Sequence, residues 1–162
     1  MYELYFSHYR GKPAAMFSGA SAKAYSISVV RTADWLAFSE AKDVTPSGFA
    51  SPDAPVFWRN STILAYQAYP DKALKGKRSG LYFSRRHAAS GRGWSEPRPF
   101  LQEVLDLPCN SANRAIDPTL VVDSKDRLHC FFVGSAWVGE GAARKRANLL
   151  GHAVTNDPKL KT

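Results

Sequence analysis

Cysteine is nearly absent from this chain. Its two copies in 162 residues are too few for a disulfide framework, and neither has a second Cys or His at zinc-finger spacing. Cys130 alternates with apolar neighbours and reads as a buried thiol, while Cys109 falls in a loop; two thiols alone are weak evidence for a bridge. Long apolar runs are missing too. No stretch approaches the roughly 18 residues of a membrane span, and the opening Met1-Tyr2-Glu3-Leu4 has no basic segment leading into an apolar one. A soluble, cytoplasmic chain is expected. The sequence also lacks Walker and Rossmann glycine loops, a Gly-x-Ser-x-Gly elbow and a Cys-His arrangement, the usual signals of nucleotide binding and acyl transfer. No cofactor is implied. Asp123 and Asp126 resemble calcium ligands only as far as any hairpin turn does, so no metal is expected either.

Acidic residues are in deficit, 14 against 22 Lys and Arg, which leaves a net charge of +8. The excess gathers in Lys72, Lys75, Lys77, Arg78, Arg85, Arg86, Arg92 and Arg98, with Arg144, Lys145 and Arg146 as a second cluster. Such clusters attract phosphate or acidic sugars through long-range Coulomb forces. Here they fall in turns between strands and no nucleic-acid motif accompanies them, so solvated loops are the plainer reading.

What the chain does have is strand character. Ile116 to Gly134 sets two runs of β-branched and aromatic residues on either side of Asp123-Ser124-Lys125-Asp126, which predicts a hairpin entered through Asp117-Pro118. Two earlier stretches repeat the pattern. Asp53 to Trp58 turns through Arg59-Asn60-Ser61-Thr62 into Ile63 to Ala68, and Glu3 to His8 turns through Tyr9 to Lys12 into Ala14 to Gly19. Glu3, Asp53 and Asp117 thus open equivalent strands. A third strand follows each hairpin, at Tyr25 to Arg31, Gly80 to Ser84 and Leu149 to Thr155. In the first two units a Trp-bearing fourth strand closes the set, at Trp35 to Ala41 and at Gly93 to Leu101. Glu140 to Ala147 reads as a long loop.

The expectation is an all-β chain of antiparallel four-stranded meander repeats, a partial β-propeller of about three blades spanning about 1–46, 50–105 and 114–162. A β-sandwich also has short strands at regular spacing, but it does not account for an acid, a turn and an aromatic strand recurring in phase.

Asp117-Pro118, Leu120-Val121-Val122-Asp123, the polar turn, Leu128 to Ser135 and Trp137 together resemble a segment of the five-bladed β-propeller glycosidases, the glycoside hydrolase family 43 type and its relatives. Ser51-Pro52-Asp53-Ala54-Pro55-Val56, with Asn60 and Leu64-Ala65-Tyr66-Gln67, resembles the preceding blade. Ser84 through Trp94-Ser95-Glu96-Pro97 resembles a closing strand common in that family. The likeness in pattern covers most of the chain and is specific around Ile116 to Ser135.

The resemblance implies a pocket where a carboxylate base activates water, a Glu acts as general acid, and a further Asp tunes that acid and orients the sugar. Asp117 matches the tuning Asp. Glu3 is the only candidate for the base, and Asp53 would point to the same pocket. Such chemistry needs carboxyls whose pKa values are pushed apart. The blade that carries the family's general acid has no counterpart, since the third unit reaches Thr162 without a closing Trp strand. Three blades also fall short of the four to eight that close a ring.

The implied function is an oligosaccharide-binding, glycosidase-like module that is catalytically incomplete alone, with Asp117, Asp53 and Glu3 as its carboxylates and Trp137 and Trp58 as stacking platforms. Open blade edges would pair with a second copy, giving a homodimer. Each residue also has a plainer role. Asp117 would cap a turn, Asp53 would sit in a Pro-rich loop, Glu3 would be solvated, and the Trp rings would pack between blades. Two alternatives of other classes stand beside this reading: a homo-oligomeric structural module without a ligand, and a binder of polyanions through the basic loops.

Overall fold

The computed structural model describes residues 1–12, 24–69, 79–87, 93–157 and 159–160. They form eleven strands in three antiparallel sheets, with short 3-10 turns and no α-helix among the described residues. Nor is any described helix long and apolar enough to cross a membrane.

The first sheet runs β1 (Tyr2–Tyr9), β2 (Tyr25–Thr32), β3 (Lys42–Asp43). β1 pairs directly with β2, from Tyr2 opposite Thr32 to Tyr9 opposite Tyr25. The strand expected at Ala14 to Gly19 lies outside the described residues. The one expected at Trp35 to Ala41 does not form: Thr32 Oγ1 and Asp34 Oδ1 accept the backbone N–H groups of residues 34–37, making turns; Ser39 touches β2 at Arg31, and strand pairing resumes at Lys42–Asp43. Local side-chain acceptors here outcompete the ladder.

The second sheet holds β4 (Phe49–Ala50), β5 (Val56–Trp58), β6 (Ser61–Ala68), β7 (Gly80–His87) and β8 (Arg98–Phe100). β4 and β5 both pair with β6, so they are two ends of one strand interrupted by residues 51–55. Arg59 and Asn60 form a two-residue hairpin with positive φ at both positions, 47° and 63°. Asn tolerates that conformation and Arg does not. Arg59 is held there because its guanidinium lies over the Trp58 ring at 4.8 Å and donates to Asp126 Oδ2 at 2.6 Å.

The third sheet is β9 (Arg114–Val122), β10 (Leu128–Val138) and β11 (Lys145–Thr155). Its first hairpin closes where Asp126 N donates to Asp123 O at 3.1 Å, while Asp123 Oδ1 accepts from the backbone of Lys125 and Arg127, both at 2.9 Å. This carboxylate explains the turn. Arg127 and His129 also bond to it, and Asp126 is taken by Arg59, so neither Asp is arranged as a metal ligand. Glu140 to Ala147 is partly strand: after a 3-10 turn at Gly141–Ala143, β11 begins at Lys145.

β6 is the centre of the molecule. Alternate side chains leave a strand on opposite faces, and both faces of β6 are covered. Ile63 and Ala65 join the larger core with Trp58, Phe83, Phe100, Leu120, Leu128, Cys130 and Phe132, between the second and third sheets. Leu64, Tyr66 and Ala68 join a smaller one with Ile27 and Tyr82, between the first and second sheets. Tyr66 is fully buried, and its hydroxyl meets Ser84 Oγ at 2.6 Å, so the phenol is not stranded. Cys130 is a free, buried thiol, pushed up to about 12 by desolvation; the Cys109 side chain lies outside the described residues. Trp58, expected as a sugar platform, is 2% exposed and belongs to the larger core. Its indole N–H donates to Asp126 O at 3.1 Å and ties the second sheet to the third. No ring face is left for a ligand.

Candidate functional site

All three singled-out acids lie on or beside the first strand of a sheet, but their local structures differ. Glu3 sits within regular β1, opposite Arg31. Asp53 lies in the 51–55 interruption between β4 and β5. Asp117 stands inside β9, on a bulge. Ile116 pairs with Val133 and Thr119 with Phe131, so Asp117 and Pro118 together face Phe132, with Asp117 at φ 49°. The Asp-Pro step therefore kinks a strand already under way from Arg114. A Pro at a bulge on an edge strand costs no ladder bond, which is why the sequence can carry it. The conformational counterpart of Asp117 is Ser51, which also precedes a Pro and has φ 51°. Asp53 falls two residues further on, which breaks the exact equivalence of the three acids.

Among the described residues Glu3 is the carboxylate with the most side-chain hydrogen bonds. Oε1 accepts from Arg31 Nε at 3.1 Å and Nη2 at 3.0 Å and from Arg86 Nη1 at 3.2 Å. Oε2 accepts from Arg86 Nη2 at 3.0 Å and from the Tyr5 hydroxyl at 2.6 Å. Arg86 above all, against some desolvation, holds Glu3 at a pKa of about 2. It is ionised at any physiological pH. Burial above all, and then the hydrogen bond to Glu3, pushes the Tyr5 phenol well above its ordinary value, against the nearby Arg86 charge.

Asp53 is shifted the other way. Burial raises its pKa, opposed by the backbone N–H groups of Leu120 and Ala54. Leu120 N donates to Asp53 Oδ2 at 2.5 Å. β9 is an edge strand, and this carboxylate satisfies a backbone donor that no neighbouring strand can reach. A parallel tie joins the first two sheets, where Ser51 N donates to Ser7 Oγ at 2.8 Å.

Glu3 and Asp53 share a hollow of about 200 Å³, walled by Tyr5 and by Pro52 to Pro55. Asp117 does not line it; it is exposed on β9, close enough to Tyr69 to act on that phenol. Trp137 is about half exposed, far along β10, with the Arg144 guanidinium 5.3 Å from its ring centroid. The structure thus brings together two of the three acids and neither Trp.

A larger cavity, about 550 Å³, opens between the first and second sheets and is lined by Arg31, Lys42, Asp43, Arg86, His87 and Trp94, among others. Sequence reasoning assigned Arg86 to a solvated loop. Its partner Glu3 is 83 residues away, and no local signal announces such a pair. Among the described residues no group of three or more His, Cys, Asp or Glu is placed to hold a metal ion.

No family model matches the chain, and no curated protein is significantly similar to it.

Proposed function

We propose that the chain is a propeller-like carbohydrate-binding module of the glycosidase type, catalytically incomplete on its own, with the Glu3 and Asp53 hollow as its sugar contact. One observation carries this reading. Carboxylates from neighbouring sheets open on one hollow with pKa values displaced in opposite directions, Glu3 down beside Arg86 and Asp53 up through burial, which is the division acid and base roles require. Asp117 stays outside that hollow, so the third carboxylate of the set is missing. Successive meander sheets stacked face to face, each entered by its first strand, support the propeller reading.

The test is a panel of neutral oligosaccharides titrated by calorimetry, together with an aryl-glycoside hydrolysis assay. Millimolar or tighter binding that Asp53→Asn weakens, without turnover, is expected. Absence of binding across the panel would remove the sugar reading, and turnover abolished by Asp53→Asn would overturn the claim of incompleteness.

A second reading, closure by another copy of the chain, is favoured by the outer faces of the end sheets. Tyr2 and Leu4 stand exposed on the first, and Val121, Leu150 and Val154 on the third. Light scattering decides it: a strictly monomeric, folded species is incompatible with a ring completed by a partner.

A further inference from the structure

We infer that the 550 Å³ cleft between the first and second sheets is a binding site for a ligand carrying an oxyanion: a carboxylate, sulfate or phosphate group. The cleft is separate from the Glu3 and Asp53 hollow, and the inference concerns the charge of its ligand. It does not depend on the carbohydrate reading.

Charge is the first ground. Among the described residues the cleft walls carry Arg31, Arg86 and Lys42 against a single acid, Asp43. Asp43 is already engaged by Arg10 at 2.6 Å and by Ser28 Oγ at 2.7 Å. Among the described residues Glu3 is the sole carboxylate bonded to the two wall arginines, and that triad keeps one net positive charge. Lys42 adds another at the mouth.

Geometry is the second. A guanidinium has five N–H donors, and Glu3 engages two from Arg31 and two from Arg86. Both side chains keep further donors while being held in place. Arg86 is fixed from two directions, by its paired bonds to Glu3 and by the Trp94 ring, whose centroid is 4.8 Å from its guanidinium carbon. Trp94 is itself braced edge-on by Tyr5 at 5.7 Å. A guanidinium already immobilised loses little freedom on binding, and its planar fork matches an oxyanion in a way an ammonium cannot. The volume falls within the range of small-molecule sites.

The experiment titrates the full chain at low ionic strength with glucuronate, inorganic sulfate and inorganic phosphate, with glucose as the neutral control. Binding is read by calorimetry and tryptophan fluorescence. At least one oxyanion is expected to bind with an affinity that falls with added salt and that Lys42→Glu weakens, whereas any glucose binding, at the hollow, should respond to neither. Which arm responds identifies the source of the charge. Arg86→Lys, which keeps the charge but loses the fork, should weaken binding about tenfold or more, and Lys42→Glu, a change at an exposed side chain, about threefold or more. The inference is overturned if no oxyanion binds up to about 10 mM, if Lys42→Glu weakens glucose binding as much as oxyanion binding, or if Lys42→Glu leaves the oxyanion affinity unchanged. Should Arg86→Lys fail to fold, the Lys42 arm and the glucose control still decide the matter.

Discussion

The two seams of this molecule are built differently. Between the second and third sheets lies a continuous apolar core in which Trp58, Phe83, Phe100 and Phe132 are each no more than 4% exposed. Between the first and second lies a smaller apolar cluster that gives way to a charged triad and an open cleft. Apolar burial scales with the area removed from water, whereas partly exposed ion pairs contribute little net stability. The apolar seam therefore contributes most to holding the fold, and the charged one contributes less.

The sharpest way to break that contrast is Phe132→Ala. It removes a fully buried ring from the larger core, and a loss of ~3–5 kcal/mol is expected in urea denaturation. A loss near 1 kcal/mol would mean that the seam is looser than its packing indicates.

Glu3→Gln addresses the other seam, with an expected cost of ~1 kcal/mol at neutral pH. Its pH signature is more telling. The folded pKa of Glu3, about 2, lies below its ordinary 4.5, so its contribution is complete above pH 4.5 and fades as pH falls toward 2. Stability measured across that interval should drop less steeply in Glu3→Gln than in the natural chain. Identical slopes would show that the triad does not form in solution. Asp53 has the opposite sign. With a pKa raised by burial, its ionised form detracts from stability near neutrality, so Asp53→Asn, which keeps an acceptor for Leu120 N, should be no less stable than the natural chain there in urea denaturation.

Tyr66→Phe tests the smaller cluster by deleting one hydroxyl and leaving Ser84 Oγ without its phenolic partner. A cost of ~1 kcal/mol by thermal or urea melt is expected. Smallest is Leu150→Ser on β11. Leu150 is 77% exposed, and a change within about 0.5 kcal/mol is expected for the monomer. A much larger, concentration-dependent loss would instead show that a second copy covers this face.

Much of the secondary structure could be read before any coordinates, because the period-two alternation through Ile63 to Ala68 and Leu128 to Phe132 is a local property of the backbone. The hairpin at Asp123 to Arg127 could be read for the same reason, since one carboxylate caps its own turn. Trp35 to Ala41 misled: its aromatics suggested a strand, yet Thr32 and Asp34 hold the backbone in turns. Trp58 misled too, because residue type cannot tell a ring in a core from one facing a sugar.

By itself, then, the sequence determined an all-β chain, the places of most strands and the chemistry of its turns, all consequences of neighbours within a few residues. Only the tertiary structure decided that Glu3 meets Arg86, that Asp53 meets Leu120 67 residues away, and that Asp117 joins neither. Those meetings depend on how sheets stack and on which edge-strand donors need a partner, and neither is encoded in the spacing along one strand.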